Sequence, residues 1–309
     1  MKKLRWLALP AGVVLIAAIV FVRDGSPTPP ELPPEATSPA GTQLLDGFSV
    51  PSGALQLGPV LVAGLEDGRP SEWRAVLVVT GDPLEVWRRY LDQLAGRMPS
   101  EGVDPAKLQG CRIDRDDGFA CEVRVDAPDT DGRSLVAGAT MLNPPDDVTG
   151  RYLMVVEATR YPPGFGDLFT SAPETWKGGA APSPQPPREP PSVGEALAPS
   201  TTAYEGDDRK YVLVEGSRLL AQYGVGSLTG GFSVLLAVSS GADAERVGEA
   251  YARQAAQYEG ETSVERYRFG DAEFISYQPP GGAGGYQANL WVVDRPGSDG
   301  YVFYSLLND

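Results

Sequence analysis

Histidine is missing from this chain altogether, which removes the commonest general base at neutral pH and a frequent zinc ligand. Cysteine is scarce. Cys111 and Cys121 are the only two, and no CxxC spacing occurs, so a zinc site lacks its donors and a thiol nucleophile lacks its usual base. Neither a GxSxG elbow nor an SxxK pair is present, and no two carboxylates are singled out by position, so a hydrolase working through carboxylates has nothing specific behind it. No catalytic residue, metal ligand or cofactor is assigned. Positive charge is also short: 26 Lys and Arg face 41 Asp and Glu, a net charge of −15. Such a surface repels nucleic acid and anionic headgroups, so neither is an expected partner.

What is present begins with a long apolar run. Residues 4–22, LRWLALPAGVVLIAAIVFV, are apolar but for Arg5, about the length that crosses a bilayer as a helix. Lys2 and Lys3 precede it and Arg5 stands at its N-terminal edge, so the positive-inside rule leaves residues 1–23 as a cytoplasmic stub and single anchor, with the bulk of the chain extracytoplasmic. The stretch AIVFVRDG offers no small-x-small cleavage site and no lipid-accepting cysteine follows, so the anchor is expected to stay uncleaved. Residues 24–43 carry six prolines and read as an extended tether. An extracytoplasmic location permits a disulfide, and Cys111 and Cys121 bracket a turn-forming Asp116-Asp117-Gly118. The expectation is a structural bridge between them across a β-hairpin.

The rest is organised around a stretch that occurs twice. Asp82, Val86, Tyr90 and Gln93 reappear as Asp243, Val247, Tyr251 and Gln254 at a constant offset of 161, while the strand before them aligns at 158, Val76 on Val234. In each copy an apolar run precedes a helix-start signal. In the first, Asp82 is the expected N-cap, Pro83 the first helical residue, and Glu85 reaches back to a free backbone N–H; Gly96 closes the helix. Leu84, Trp87, Leu91 and Leu94 give that helix an apolar face wide enough to lie on a sheet. The fold class is therefore α+β: two tandem repeats, each an antiparallel sheet with one long helix on one face, in the order strands, helix, four strands. Early strands are expected near residues 48–50 and 57–63, and in the second copy near 210–214 and 219–223. Residues 44–161 form the first α+β domain, 162–202 a proline-rich linker with ten prolines before residue 200, and 203–309 the second domain.

Some motifs invite sharper readings. The PPGGAGG loop at 279–285 leads into a strand, not into a helix N-terminus, so it reads as a hairpin loop and not a phosphate cradle. Asp126, Asp129 and Asp131 lack the D-x-D-x-D-G spacing and the bidentate glutamate of a calcium loop, since that place holds Ala137. Phe165, Phe169 and Trp176 are unusually apolar for a solvated linker; they either pack back on the first domain or form a partner-docking segment.

The layout, with its Ala, Gly, Pro and Arg bias (21 Arg to 5 Lys), resembles single-anchor envelope proteins of high-G+C bacteria. The leading expectation is a membrane-tethered, extracytoplasmic, non-enzymatic binding or assembly module whose partners are envelope proteins. The alternative is a carrier or sensor for a small ligand or lipid held between helix and sheet. A pocket there would mark the carrier; a filled core with aromatics on the sheet's outer face would mark protein binding.

Overall fold

A computed structural model describes residues 31–66, 68–97, 111–114, 118–128, 134–143, 148–161, 180–184, 186–195, 197, 212–226, 232–241, 243–259, 263–270, 272–278, 286–294 and 300–308. The candidate span at 4–22 lies outside them; within them no helix is long and apolar enough to cross a membrane.

Among the described residues the chain is mixed α+β, with two antiparallel sheets and two long helices. The strands described are β1 (Thr37–Ser38), β2 (Ala54–Glu66), β3 (Arg69–Val79), β4 (Cys111–Asp114), β5 (Gly118–Pro128), β6 (Ser134–Leu142), β7 (Leu153–Tyr161), β8 (Arg218–Gly226), β9 (Phe232–Gly241), β10 (Ser263–Phe269), β11 (Ala272–Gln278), β12 (Tyr286–Val293) and β13 (Gly300–Asn308). The helices are α1 (Pro83–Ala95) and α2 (Ala244–Glu259). The first sheet runs β1-β2-β3-β7-β6-β5-β4 and the second β10-β11-β12-β13-β9-β8. Apart from the two-residue β1, both follow one order when read from the first strand of each unit.

Each helix starts as its sequence dictates. Asp82 accepts from the Glu85 N–H at 2.8 Å and Asp243 from the Arg246 N–H at 3.1 Å. Glu85 does not close a capping box; its carboxylate pairs with Arg89 one turn on. Gly96 is right-handed (φ −64°), not left-handed as expected of a glycine stop; Arg97 leaves the helix to stack over the Phe48 ring at 4.5 Å.

Residues 48–50, and the described residues 212–214 of the strand expected near 210–214, are not strands, and one cause serves both. Gln93 accepts from the Ser49 N–H at 2.9 Å and donates to its carbonyl at 3.1 Å, while Gln254 makes the same two bonds to Val212 at 2.9 and 3.2 Å. A glutamine amide takes the place of a neighbouring strand, so the ladder has nothing to extend onto. Ser49 keeps a single bridge to Gln43. The turn that follows is also shared: Gly53 (φ 89°) and Gly216 (φ 84°) take the left-handed conformation, and Arg89 and Arg246 donate to the preceding carbonyls, Ser52 at 2.9 Å and Glu215 at 3.2 Å.

Each sheet buries side chains on both faces. Trp73, Ala75, Leu77, Met154 and Val156 pack under α1, and Leu290, Val292 and Val302 under α2. The opposite faces meet: Leu57, Leu61, Val76, Val78, Leu153 and Val155 of the first sheet close on Phe274, Trp291, Val293 and Tyr301 of the second. The layers are helix, sheet, sheet, helix. Each sheet carries its helix on one face and, its strands being apolar on both sides, buries the other against the second sheet.

The proline-rich segment has no helix or strand in its described part, but it is docked, not free. Tyr152 donates its hydroxyl to Pro182 O at 2.9 Å, and a Cβ on Gly150 would stand 2.6 Å from Pro187. Leu197 and Val148 are buried in the core beneath α2, which ties the turn between β6 and β7 to the second unit.

Candidate functional site

The buried polar groups of the first unit hold its fold together. Asp46, the one non-glycine residue with positive φ among those described (55°), accepts the Trp73 indole N–H at 2.6 Å and pairs through its other oxygen with Arg160. Both carboxylate oxygens are engaged, so this cluster fastens the loop before β2 to β3 and β7. Phe48 fills the space behind it, stacked on Tyr90 at 5.8 Å and tilted on Trp73 at 6.0 Å. Burial raises the Tyr90 phenol pKa, and its hydroxyl donates to Gly138 O on β6 at 3.0 Å.

The bridge Cys111–Cys121 is formed, between directly paired residues of β4 and β5, and both cysteines are buried in the core beneath α1. Asp126 sits in β5 opposite Val136, and Asp114 in β4 opposite Gly118. Asp116, Asp117, Asp129, Asp131, the 279–285 loop, and the docking candidates Phe165, Phe169 and Trp176 lie outside the described residues. Among the described residues no three Cys, Asp or Glu side chains are grouped to hold a metal ion.

Like β4 and β8, β10 is paired on one side only among the described residues, which leaves its outer edge open. Its seven residues pair with β11 in unbroken register and, among the described residues, with no other strand. The strand is two-faced. Tyr267 faces the first sheet in a cross-strand aromatic row with Phe274 (4.6 Å) and Trp291 (5.4 Å from Phe274). Trp291 Nε1 and the Tyr267 hydroxyl both donate to Val62 O, at 2.8 and 3.3 Å, so side chains of the second unit occupy a carbonyl of β2. Burial, then Glu265 and Glu72, push the Tyr267 phenol pKa upward. This row fixes β10 in place.

The other face of β10 carries Val264, Arg266 and Arg268, all exposed, because α2 lies over β11, β12, β13 and β9 and leaves the edge strand uncovered. Val264 is 48% exposed, one of two large apolar residues so open among those described. Arg266 and Arg268 share one carboxylate, Glu273, at 3.7 and 3.9 Å. Exposed pairs at such distances are worth at most about 1 kcal/mol, so both guanidiniums stay available to a second acid. A strand edge also leaves the N–H and C=O groups of every second residue pointing outward. Sequence reasoning placed β10 correctly without recognising it as an open edge. The signal was the alternation in VERYRF, aromatic residues on one parity and arginines on the other.

No family model and no curated protein matches the chain. A solved structure from Thermobifida fusca YX, given the provisional label thioesterase II, is similar at 10% identity over 81% of this chain and 94% of that one, with a TM-score of 0.14. A likeness that slight carries no argument about fold or activity.

Proposed function

We propose that the chain is a non-enzymatic binding or assembly module, tethered through residues 4–22 with its bulk outside the cytoplasm of a bacterial cell envelope, its partners being envelope proteins. It is built as two tandem units of one α+β fold, 44–161 and 203–309, joined by the segment between them. The paired glutamines Gln93 and Gln254, acting alike on Ser49 and Val212, support the duplication. The observation that carries the functional reading is the edge of β10, a strand paired on one side only among the described residues with Val264, Arg266 and Arg268 exposed, which suits recognition of a partner strand. Extraction of the full chain from its native membrane in mild detergent tests this. The reading expects a protein partner in constant proportion; recovery of the chain alone, carrying an extractable small molecule, would overturn it.

That second outcome would favour a small-ligand carrier, and one observation gives it a foothold. Position 248 is glycine, packed so closely on β12 that a Cβ would lie 2.4 Å from Val292 Cγ2, whereas the corresponding residue of α1 is Trp87. The Trp87 indole N–H is buried and has no hydrogen-bond partner among the described residues. A donor kept in that state costs about 1–3 kcal/mol, the kind of group a bound acceptor would satisfy.

A further inference from the structure

We infer that β10 accepts an extended polypeptide strand bearing acidic side chains at alternate positions, a deepening that rests on the binding-module reading above. Strand addition supplies main-chain hydrogen bonds of any sequence, and selection comes from the side chains that flank the new strand. Facing the solvent beside α2 are Val264, Arg266 and Arg268, with Glu273 their counter-charge among the described residues and the exposed Glu265 on the strand's other face. An acid opposite each arginine matches both, whereas a basic strand meets two like charges.

A second copy of this chain is the poorer occupant. Paired residues of an antiparallel two-fold must share a face, so β10 could meet itself only about Glu265, Arg266 or Tyr267. The first sets Glu265 against Glu265, the second Arg266 against Arg266, and the third Arg266 against Arg268 twice. Each register places like charges directly opposite. The chain's net charge of −15 repels an acidic segment at long range, so its selection rests on Arg266 and Arg268 at contact.

The test uses the full chain in detergent and a capped heptapeptide of alternating threonine and glutamate. Its controls are the lysine counterpart and a form N-methylated along its central residues. The glutamate peptide should bind in the micromolar to submillimolar range, with the lysine and N-methylated forms about tenfold or more weaker. The double variant Arg266→Glu/Arg268→Glu, at exposed positions that leave the core untouched, should reverse the preference between glutamate and lysine. Equal binding of the N-methylated peptide would reduce the effect to charge alone and overturn strand addition. Unchanged preference in the double variant, or no binding at about 1 mM peptide, would overturn the site. A protein partner whose association survives the charge swap would sink the β10 inference while leaving the module reading intact.

Discussion

Trp291 donates its indole N–H to the carbonyl of Val62 at 2.8 Å, across 229 residues of sequence. The donor belongs to β12 and the acceptor to β2, so this bond, with that from the Tyr267 hydroxyl, links the two sheets at the layer where their apolar faces meet. Trp291→Phe keeps the ring and removes the donor. It should cost about 1–3 kcal/mol, and urea unfolding should remain one transition with a lower midpoint. Two separate transitions, with only one displaced, would show that the sheets do not share a core.

Removing the disulfide tests the same coupling from the opposite side. Cys111→Ala with Cys121→Ala should lower stability by about 2–3 kcal/mol, the value of closing so short a loop. Because the first sheet's other face is buried against the second, the loss should appear in the melting of the whole body. Two thiols alkylated in native protein without prior reduction would refute the bridge itself.

Much of this was legible in the sequence. The N-caps Asp82 and Asp243, the helix faces and all four strands after each helix follow from periodicity and turn chemistry alone. The sheet-on-sheet layer was also written there, in runs such as AVLVV and LWVV that do not alternate, but such a run says only that both faces are buried and not what covers them. Where Gln93 and Gln254 replace a strand, the signal was absent in principle, since a glutamine on a helix reads the same whether it meets water or a backbone. The edge of β10 was invisible for a third reason. Strand order, which decides what is an edge, depends on contacts far apart in the chain.

Gly248 offers a test with an inverted sign. In an exposed helix interior Gly→Ala stabilises by about 1 kcal/mol. Here the added Cβ would stand 2.4 Å from Val292 Cγ2 and 3.0 Å from Cγ1, with little freedom for valine to yield. Gly248→Ala should therefore destabilise by about 1–3 kcal/mol in chemical denaturation. A gain in stability would mean α2 rides higher on its sheet.

The tyrosines set an alkaline limit. Burial raises the phenol pKa of Tyr90, Tyr251 and Tyr267, and pushes that of Tyr152 up to about 12. The neutral phenol is the form the fold holds, so this contribution is whole below the unfolded value of 10.0 and is lost as pH rises from there through the folded values. Stability should fall above about pH 10, and Tyr152→Phe should flatten the lower part of that fall. Phenolate absorbance for these four should grow in step with unfolding; full ionisation of the folded protein at pH 10 would contradict the burial.

Hydrogen–deuterium exchange across β10 tests the central claim most directly. In the free full chain, amides of β10 should exchange faster than those of β12, which is paired on both sides. On adding the alternating threonine–glutamate peptide, new protection should appear in residues 263–269 and leave β2, β4 and both helices unchanged. Protection that appears elsewhere, or fails to appear while the peptide is bound, would contradict the account.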